Sequence, residues 1–295
     1  MTDNAAGSLD KRTWMSKVLE IDTLKLTDIV WPGAHNAGMD KKGPDIGLVV
    51  GNWTACQNDS FSGQLANGAR AFDVRLGYER KNNQDIFYFH HNGNRSGREL
   101  EELITAVIAF LDDYPDEFIV LDFHQLGDGG RAFDHKKLND HLLRRFDRRV
   151  VPSDDVSCTI GELKQNSALR RIVLATGGSA DYDQDQFWSR IPHRWHGKTF
   201  PHLDLIEQHI GKTLAEPPSA EFFWSLSATC YSLLGPENIK HMINAWFAPT
   251  LHWVTRCSII NTDFFDESKI VHYCWIANSM KAVYGHALHE STDLR

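Results

Sequence analysis

Two histidines each stand at the end of an extended, largely apolar segment of this chain. A pair of imidazoles is the smallest kit for cutting a phosphodiester by acid–base chemistry. One takes the proton from an attacking hydroxyl, and the other returns a proton to the leaving oxygen. The first, His35, lies in Gly33–Gly38 (GAHNAG), directly after Ile29, Val30, Trp31 and the turn residue Pro32. The second, His91, closes the run Phe87–His91 (FYFHH). The same reaction needs a cation against the charge on the phosphoryl group. Arg75, in Gly68–Arg75 (GARAFDVR), offers a permanently charged fork. It also needs a carboxylate to hold the basic imidazole in one tautomer, and Asp263 is placed to orient His35.

Each residue has a structural alternative. The chain carries 15 histidines, so a single one is more often a hydrogen-bonding surface or core residue. Arg75 has Asp73 two residues away as an ion-pair partner, and the two share one face of a strand. Asp263 is also a candidate helix cap, and Asp122 reads as an interior salt-bridge partner. What favours catalysis is the joint placement of His35, Arg75 and His91 at three strand ends.

The elements that would position them alternate along the chain. Strands are expected at Asp28–Pro32, Ala69–Leu76, Ile86–His91, Phe118–Gln125, Arg171–Thr176, Phe222–Thr229 and Ser258–Phe264, with a weaker one near His193–Thr199. Helical spacing runs over Glu99–Tyr114, stopped by Pro115, and over Leu138–Phe146, Leu205–Ile210, Ile239–Phe247 and Ser268–Lys281. About eight strands alternating with helices predict a distorted (β/α)8 TIM barrel. An open doubly wound sheet would call for a GxGxxG loop after its first strand, and GAHNAG is not one. With no Pro/Gly/Ser-rich linker, residues 1–295 read as one domain. Gly177–Trp195 is read as a long polar loop. In such a barrel the polar residues at strand ends converge: His35 and Asn36, Asp73 and Arg75, His90 and His91, Asp122 and His124, Asn261 and Asp263.

Composition narrows the partners. A net charge of −8 leaves no basic excess for nucleic acid. The cysteines at 56, 158, 230, 257 and 274 form no metal-binding spacing and read as reduced thiols. The N-terminus lacks the apolar core of a signal peptide, and no run is long enough to span a bilayer. The expected location is therefore the cytoplasm, or outside the cell by a leaderless route.

At these residues the chain resembles the X-domain superfamily of phosphatidylinositol-specific phospholipases C, and most of all the bacterial, metal-independent type. The likeness rests on Trp14–Met15–Ser16, Pro32–Asn36, Gly68–Arg75, Phe89–His90–His91, Phe118–Phe123 and, in the C-terminal half, Asn261–Phe264. It implies a distorted TIM barrel in which an inositol 2-hydroxyl attacks phosphorus, releasing diacylglycerol and a cyclic phosphate. His35 would be the general base, His91 the general acid and Arg75 the phosphate ligand, with no cofactor. Three departures stand out. The bacterial type has Asp where this chain has Asn36, and there the Asp couples the arginine to the acid histidine. The calcium-dependent type has Asn at that position as a ligand. Here Arg75 and His124 stand where that type has acidic ligands, leaving only Asn36 and Asp73, so calcium is the lesser expectation. Thr176 and Gly177 replace an inositol-reading arginine.

His124, Asp73 and Trp195 are the expected substrate contacts. Trp53 and Trp246, with Trp195 as a further rim residue, are the expected contacts with a phospholipid surface. The alternative for Trp246 is a core position on an amphipathic helix. Two rival functions remain: a weakly active headgroup-binding protein on the same barrel, and a phosphodiesterase for another headgroup. A glycerophosphodiesterase or sphingomyelinase-D-like barrel would want a Glu-x-Asp after the first histidine, which is lacking here.

Overall fold

The computed structural model describes residues 9–44 and 54–292, with the side chains of the last helix described as far as residue 284. Eight parallel strands form a curled sheet. In chain order they are β1 (Trp31–Ala34), β2 (Ala71–Lys81), β5 (Ile119–Leu126), β6 (Ile172–Ala175), β7 (Phe187–Trp188), β8 (His193–Arg194), β9 (Ser225–Ala228) and β12 (Ile259–Thr262). Two further strands, β3 (Gln84–His91) and β4 (Asn94–Glu99), extend the sheet beside β2. A small separate ribbon is made by β10 (Tyr231–Ser232) and β11 (Gly235–Pro236). The hydrogen-bonded path runs β7-β6-β5-β2-β1-β12-β9-β8. Among the described residues β7 and β8, the two ends of that path, do not pair, so the barrel has an open seam. The distorted (β/α)8 expectation holds in this form.

The helices are α1 (Phe61–Ala66), α2 (Leu100–Asp113), α3 (His135–Phe146), α4 (Ile160–Asn166), α5 (Leu203–Ala215), α6 (Lys240–Trp246) and α7 (Ile270–Thr292). In α2, Leu100, Leu103, Ile104, Val107, Phe110 and Leu111 recur at helical spacing and all are buried. Glu99 and Glu102 form its capping box, and the helix ends just before Pro115. In α4 the sequence Thr159-x-x-Glu162 makes a reciprocal capping box. That signature is legible in the sequence, although the helix was not expected.

One expected barrel strand is corrected. Ile86–His91 lies in β3, which runs antiparallel to β2, with Leu76 opposite Phe89 and Lys81 opposite Gln84. The eighth parallel strand is instead β7, two residues inside the polar stretch Gly177–Trp195, too short to show any periodicity. Local turn chemistry explains the hairpins. Asn82 and Asn83 both take positive φ, 49° and 61°, as a two-residue turn between β2 and β3 demands. Asn92 and Gly93 do the same between β3 and β4, at 49° and 81°, with His91 paired to Asn94 across the turn. The chain leaves the barrel along β2, turns, and returns His91 to the level of Arg75.

Below the site, Arg70 and Glu117 are both fully buried and tie the N-terminal segment to the barrel. Arg70 Nε donates to Glu117 Oε2 at 2.8 Å, and its other nitrogens donate to the carbonyls of Leu65, Ala69, Lys11 and Arg12. Glu117 also accepts from the backbone N–H of Met15 and Ser16. The Trp14–Ser16 and Arg70 motifs thus serve the fold rather than the chemistry. Glu117→Gln is expected to destabilise the protein by about 3–5 kcal/mol, because it leaves a buried guanidinium uncompensated. Denaturant unfolding of the two proteins measures this.

Candidate active site

His35 follows β1 directly. Its backbone N–H donates to the carbonyl of Thr262 on β12. The small residues around it allow two close approaches. A β-carbon on Gly33 would stand 2.2 Å from Asn261 Oδ1, and one on Gly38 would stand 2.0 Å from the Phe89 ring. GAHNAG is therefore small because two neighbouring strands press against it. Between those glycines Asn36 adopts φ 45°, a left-handed conformation that asparagine tolerates better than most residues.

His35 and its partners are joined by hydrogen bonds. His35 Nδ1 lies 2.8 Å from Asp263 Oδ1, and His35 Nε2 lies 2.9 Å from an Arg75 terminal nitrogen. A guanidinium only donates, so Nε2 is the acceptor and the proton sits on Nδ1, facing Asp263. This is the tautomer a general base requires, with its lone pair toward Arg75 and the cavity. Asp73 accepts from Arg75 Nε at 3.1 Å and from its terminal nitrogen at 2.7 Å, and from the backbone N–H of Asn36 at 3.1 Å. Burial pushes the Asp73 carboxyl up, but Arg75 and nearby imidazoles outweigh it and hold it well below the usual carboxylate range. Burial likewise works against the Arg75 charge, and Asp73 more than restores it. A bulge between Val74 and Arg75, where His124 is the extra residue on β5, re-aims both side chains at the strand end.

Arg75 pairs with Asp73 and still faces the cavity. The two readings of Arg75 are thus one arrangement: the carboxylate below holds the fork in place. The cavity, about 410 Å³, is lined by His35, Arg75, His91, His124, His193 and Tyr231, with Trp195, Lys198 and Asn92 at its exposed mouth. The Tyr231 ring stands 5.5 Å from the ring of His91 and 6.2 Å from that of His35. Its hydroxyl points away, to Cys56 Sγ at 3.2 Å. Burial, with the charges near His35 and Arg75, brings the His91 pKa down to about 3, so it is neutral in the unliganded protein.

The opposite wall is a second imidazole pair. The rings of His124 and His193 stack at 3.6 Å, and His193 Nε2 lies 2.6 Å from Asp122 Oδ2. Asp122 is thus the interior ion-pair partner expected of it. Burial pushes Asp122 up. For His193, burial pulls down but Asp122 pulls up further, leaving its pKa raised, while His124 falls to about 3 through burial. A raised imidazole stabilises the fold fully below its ordinary value of 6.5, and loses that contribution as pH rises through the higher folded value. The excess stability of wild type over His193→Gln is therefore expected to be larger below pH 6.5 than above it, and to shrink as pH is raised through the folded value. Thermal unfolding of both proteins across that range is the check.

Among the expected site residues, His35, Arg75, His91, His124 and Trp195 border the cavity, whereas Asp263, Asp73 and Asn36 lie behind it. Asp73 is corrected from a substrate contact to the support of Arg75, since both its oxygens are engaged. Asn36 is fully buried, and neither side-chain polar atom has a hydrogen-bond partner. Trp246 is 2% exposed and packs in the core as part of the amphipathic helix α6, which corrects the expected rim contact. Trp53 lies outside the described residues. Thr176 and Gly177 border a different cavity. The donor set does not fit calcium: Asp73 is taken by Arg75, and the neighbouring positions carry a guanidinium and an imidazole. Tyr231 and His193 are the functional candidates that sequence reasoning missed. Tyr231 continues the parity of Ser227 and Thr229, two residues apart on and just after β9, and that alternation was the available signal.

No protein-family model matches the chain. It is 26% identical over 269 residues to PI-PLC X domain-containing protein 1 of Danio rerio, covering 82% of this chain and 85% of that protein. It is 27% identical over 203 residues to a variant-surface-glycoprotein phospholipase C of Trypanosoma cruzi, spanning 58% of this chain and about half (51%) of that protein. Its fold superimposes on a phosphatidylinositol-specific phospholipase C of Staphylococcus aureus with a TM-score of 0.68 at 19% identity, covering 92% of this chain and 99% of that one. The chain is thus similar over most of its length to a PI-PLC X domain-containing protein, and it shares the fold of a bacterial phosphatidylinositol-specific phospholipase C.

Proposed function

We propose that the protein is a phosphodiesterase of the phospholipase C type, cleaving a phosphatidylinositol-like lipid to diacylglycerol and a cyclic inositol phosphate without a metal. The observation that carries this reading is the shared cavity. A carboxylate-oriented imidazole whose lone pair faces Arg75, a fixed guanidinium and a second imidazole all border the same cavity of about 410 Å³.

In the reaction the substrate phosphate takes the outward donors of Arg75 and so frees His35 Nε2. That nitrogen accepts the proton of the 2-hydroxyl as its oxygen attacks phosphorus. Asp263 stabilises the imidazolium that forms. The phosphorus–glycerol oxygen bond breaks, and His91 protonates the leaving oxygen. His91 is neutral until substrate arrives, because burial and the charges near His35 and Arg75 outweigh the pull of Asp73. The phosphodiester anion supplies the missing counter-charge and draws the proton onto it. The test is turnover of phosphatidylinositol vesicles in excess chelator. Failure with phosphatidylinositol and every other phosphodiester lipid tried sinks the enzyme reading in favour of a headgroup-binding protein, and turnover that requires calcium sinks the role given to Arg75.

The lipid surface is met at the cavity mouth. Leu233 and Leu234 form the tip of the β10–β11 ribbon that begins at Tyr231, and they are 68% and 82% exposed. Trp195 and Phe200 are half exposed. Apolar side chains this open, continuous with the mouth, suit insertion among lipid headgroups. Replacing Leu233 and Leu234 together by serine is expected to weaken vesicle binding about tenfold or more, since each buried leucine contributes roughly 1.5–3 kcal/mol. Hydrolysis of a short-chain, water-soluble substrate is expected to stay unchanged. Vesicle co-sedimentation beside the soluble assay measures both.

A further inference from the structure

Behind His35 lies a buried thiol that the acid–base reaction does not use, and it forms a cluster with the imidazole and its carboxylate partner. Cys56 is completely buried, with Sγ 3.2 Å from the Tyr231 hydroxyl and 3.4 Å from the Thr54 carbonyl. One ligand atom each from His35, Cys56 and Asp263 lies within 4.8 Å of the other two. Asp263 uses only one carboxylate oxygen on His35. Its side chain is 1% exposed, and its other oxygen, Oδ2, has no hydrogen-bond partner. A buried, unsatisfied carboxylate oxygen beside a thiol and an imidazole nitrogen is unusual, because burial of such an atom is costly.

We infer that His35 Nδ1, Cys56 Sγ and Asp263 form a binding site for one zinc-like divalent cation, with the Tyr231 oxygen beside it as a fourth donor, and that occupation switches the enzyme off. The donor types point to the ion. Nitrogen, thiolate and carboxylate together suit zinc and other borderline ions, whereas calcium and magnesium want oxygen alone. Metal–ligand bonds of about 2.0–2.3 Å require ligand atoms roughly 3.3–3.8 Å apart. The His35–Asp263 contact must open by about half an ångström and the other donors close by about one, which are side-chain adjustments on that scale.

The proton balance gives the inhibition. The Cys56 thiol releases its proton to solvent, so that thiolate and carboxylate offset the charge of the ion. The imidazole proton moves from Nδ1, now a ligand, to Nε2. His35 then has no lone pair for the substrate hydroxyl. Arg75, a donor, faces an N–H instead of an acceptor and must turn away. The ion thus removes the base and displaces the phosphate ligand in one step. The functional part of this inference rests on the phospholipase reading, but the site itself does not.

Cobalt(II), which reports its ligands by colour, separates the two. The full-length chain titrated anaerobically with cobalt is expected to bind one ion, with a thiolate-to-metal charge-transfer band and the intense visible bands of a four-coordinate site. Cys56→Ala is expected to lose the charge-transfer band, to keep its turnover in chelator, and to need at least about ten times more zinc for half-inhibition. Tenfold is the low end of what losing even an outer-shell partner does to metal affinity. Cys56→Ser, closer in size and lacking sulfur, repeats the test if the alanine variant folds poorly. Absence of the band in the unaltered chain, or its persistence in both variants, overturns the site. Activity unchanged by zinc, at a concentration that displaces the bound cobalt completely, overturns the inhibition. A cobalt spectrum as described from a protein that turns over no phosphodiester supports the site and counts against the enzyme reading alone.

Discussion

His35→Ala is expected to lower phosphodiester cleavage by about 10³-fold, within the roughly 10²–10⁴-fold that a positioned general base contributes. The imidazole is held from both sides, by Asp263 on Nδ1 and Arg75 on Nε2. No other described side chain shares that position between the two. The substitution also strands the Asp263 carboxylate in a buried site, so a loss of stability accompanies the loss of rate. Asp263→Asn separates the effects. It keeps the shape but offers His35 an amide that can donate to Nδ1, which favours the proton on Nε2 and blocks the lone pair. Its rate is expected to fall by about 10²-fold or more, with KM little changed. Steady-state kinetics on both variants, with thermal unfolding beside them, distinguish a missing base from a damaged fold.

Arg75→Lys is expected to cost about 10²–10³-fold in kcat, comparable to removing a preorganised charge donor from a developing oxyanion. A lysine keeps the charge but loses the fork. Arg75 holds Asp73 with two nitrogens and reaches His35 with one of them. An ammonium on a flexible stem does not reproduce that planar set of donors. Asp73, fully buried, then depends on one mobile cation, and its carboxyl is expected to rise toward the ordinary range. If Arg75 served only as the structural partner of Asp73, lysine would depress stability and leave kcat nearly intact. The split between kcat and unfolding midpoint therefore decides whether the guanidinium acts on the phosphate.

The sequence carried the placement of His35, Arg75 and Asp263 because each sits on an apolar run whose length and alternation mark a strand. It also carried His91, but for an incomplete reason. The run Ile86–His91 does end at the site, yet it arrives antiparallel, through an Asn-Asn turn and into an Asn92–Gly93 turn. The Asn-Gly pair was the legible clue, being among the strongest short-range hairpin signals. Strand β7 was out of reach of periodicity at two residues. The burial of Trp246 depends on which face of α6 meets the barrel, and its seven residues allow either choice. His193 was visible only as part of a weak strand, because its partner Asp122 is 71 residues away and the stacking on His124 arises from a bulge. Cys56 gave no spacing signal, since its neighbours Tyr231 and Asp263 come from distant strands.

Asn36 stands where the bacterial type that the sequence resembles carries Asp, and its side chain is fully enclosed. The backbone N–H of Asn36 serves Asp73, and its amide is enclosed without a partner. The pKa of the neighbouring His91 is brought down to about 3, first by burial and then by the charges near it.

The most direct measurement is phosphorus NMR of the water-soluble product released from phosphatidylinositol vesicles in excess chelator, with unaltered protein and with His91→Ala. The account expects a five-membered cyclic phosphodiester signal from the unaltered protein, and its near-complete loss in the variant. A linear phosphomonoester as the first product, or a cyclic product formed equally well without His91, would contradict it.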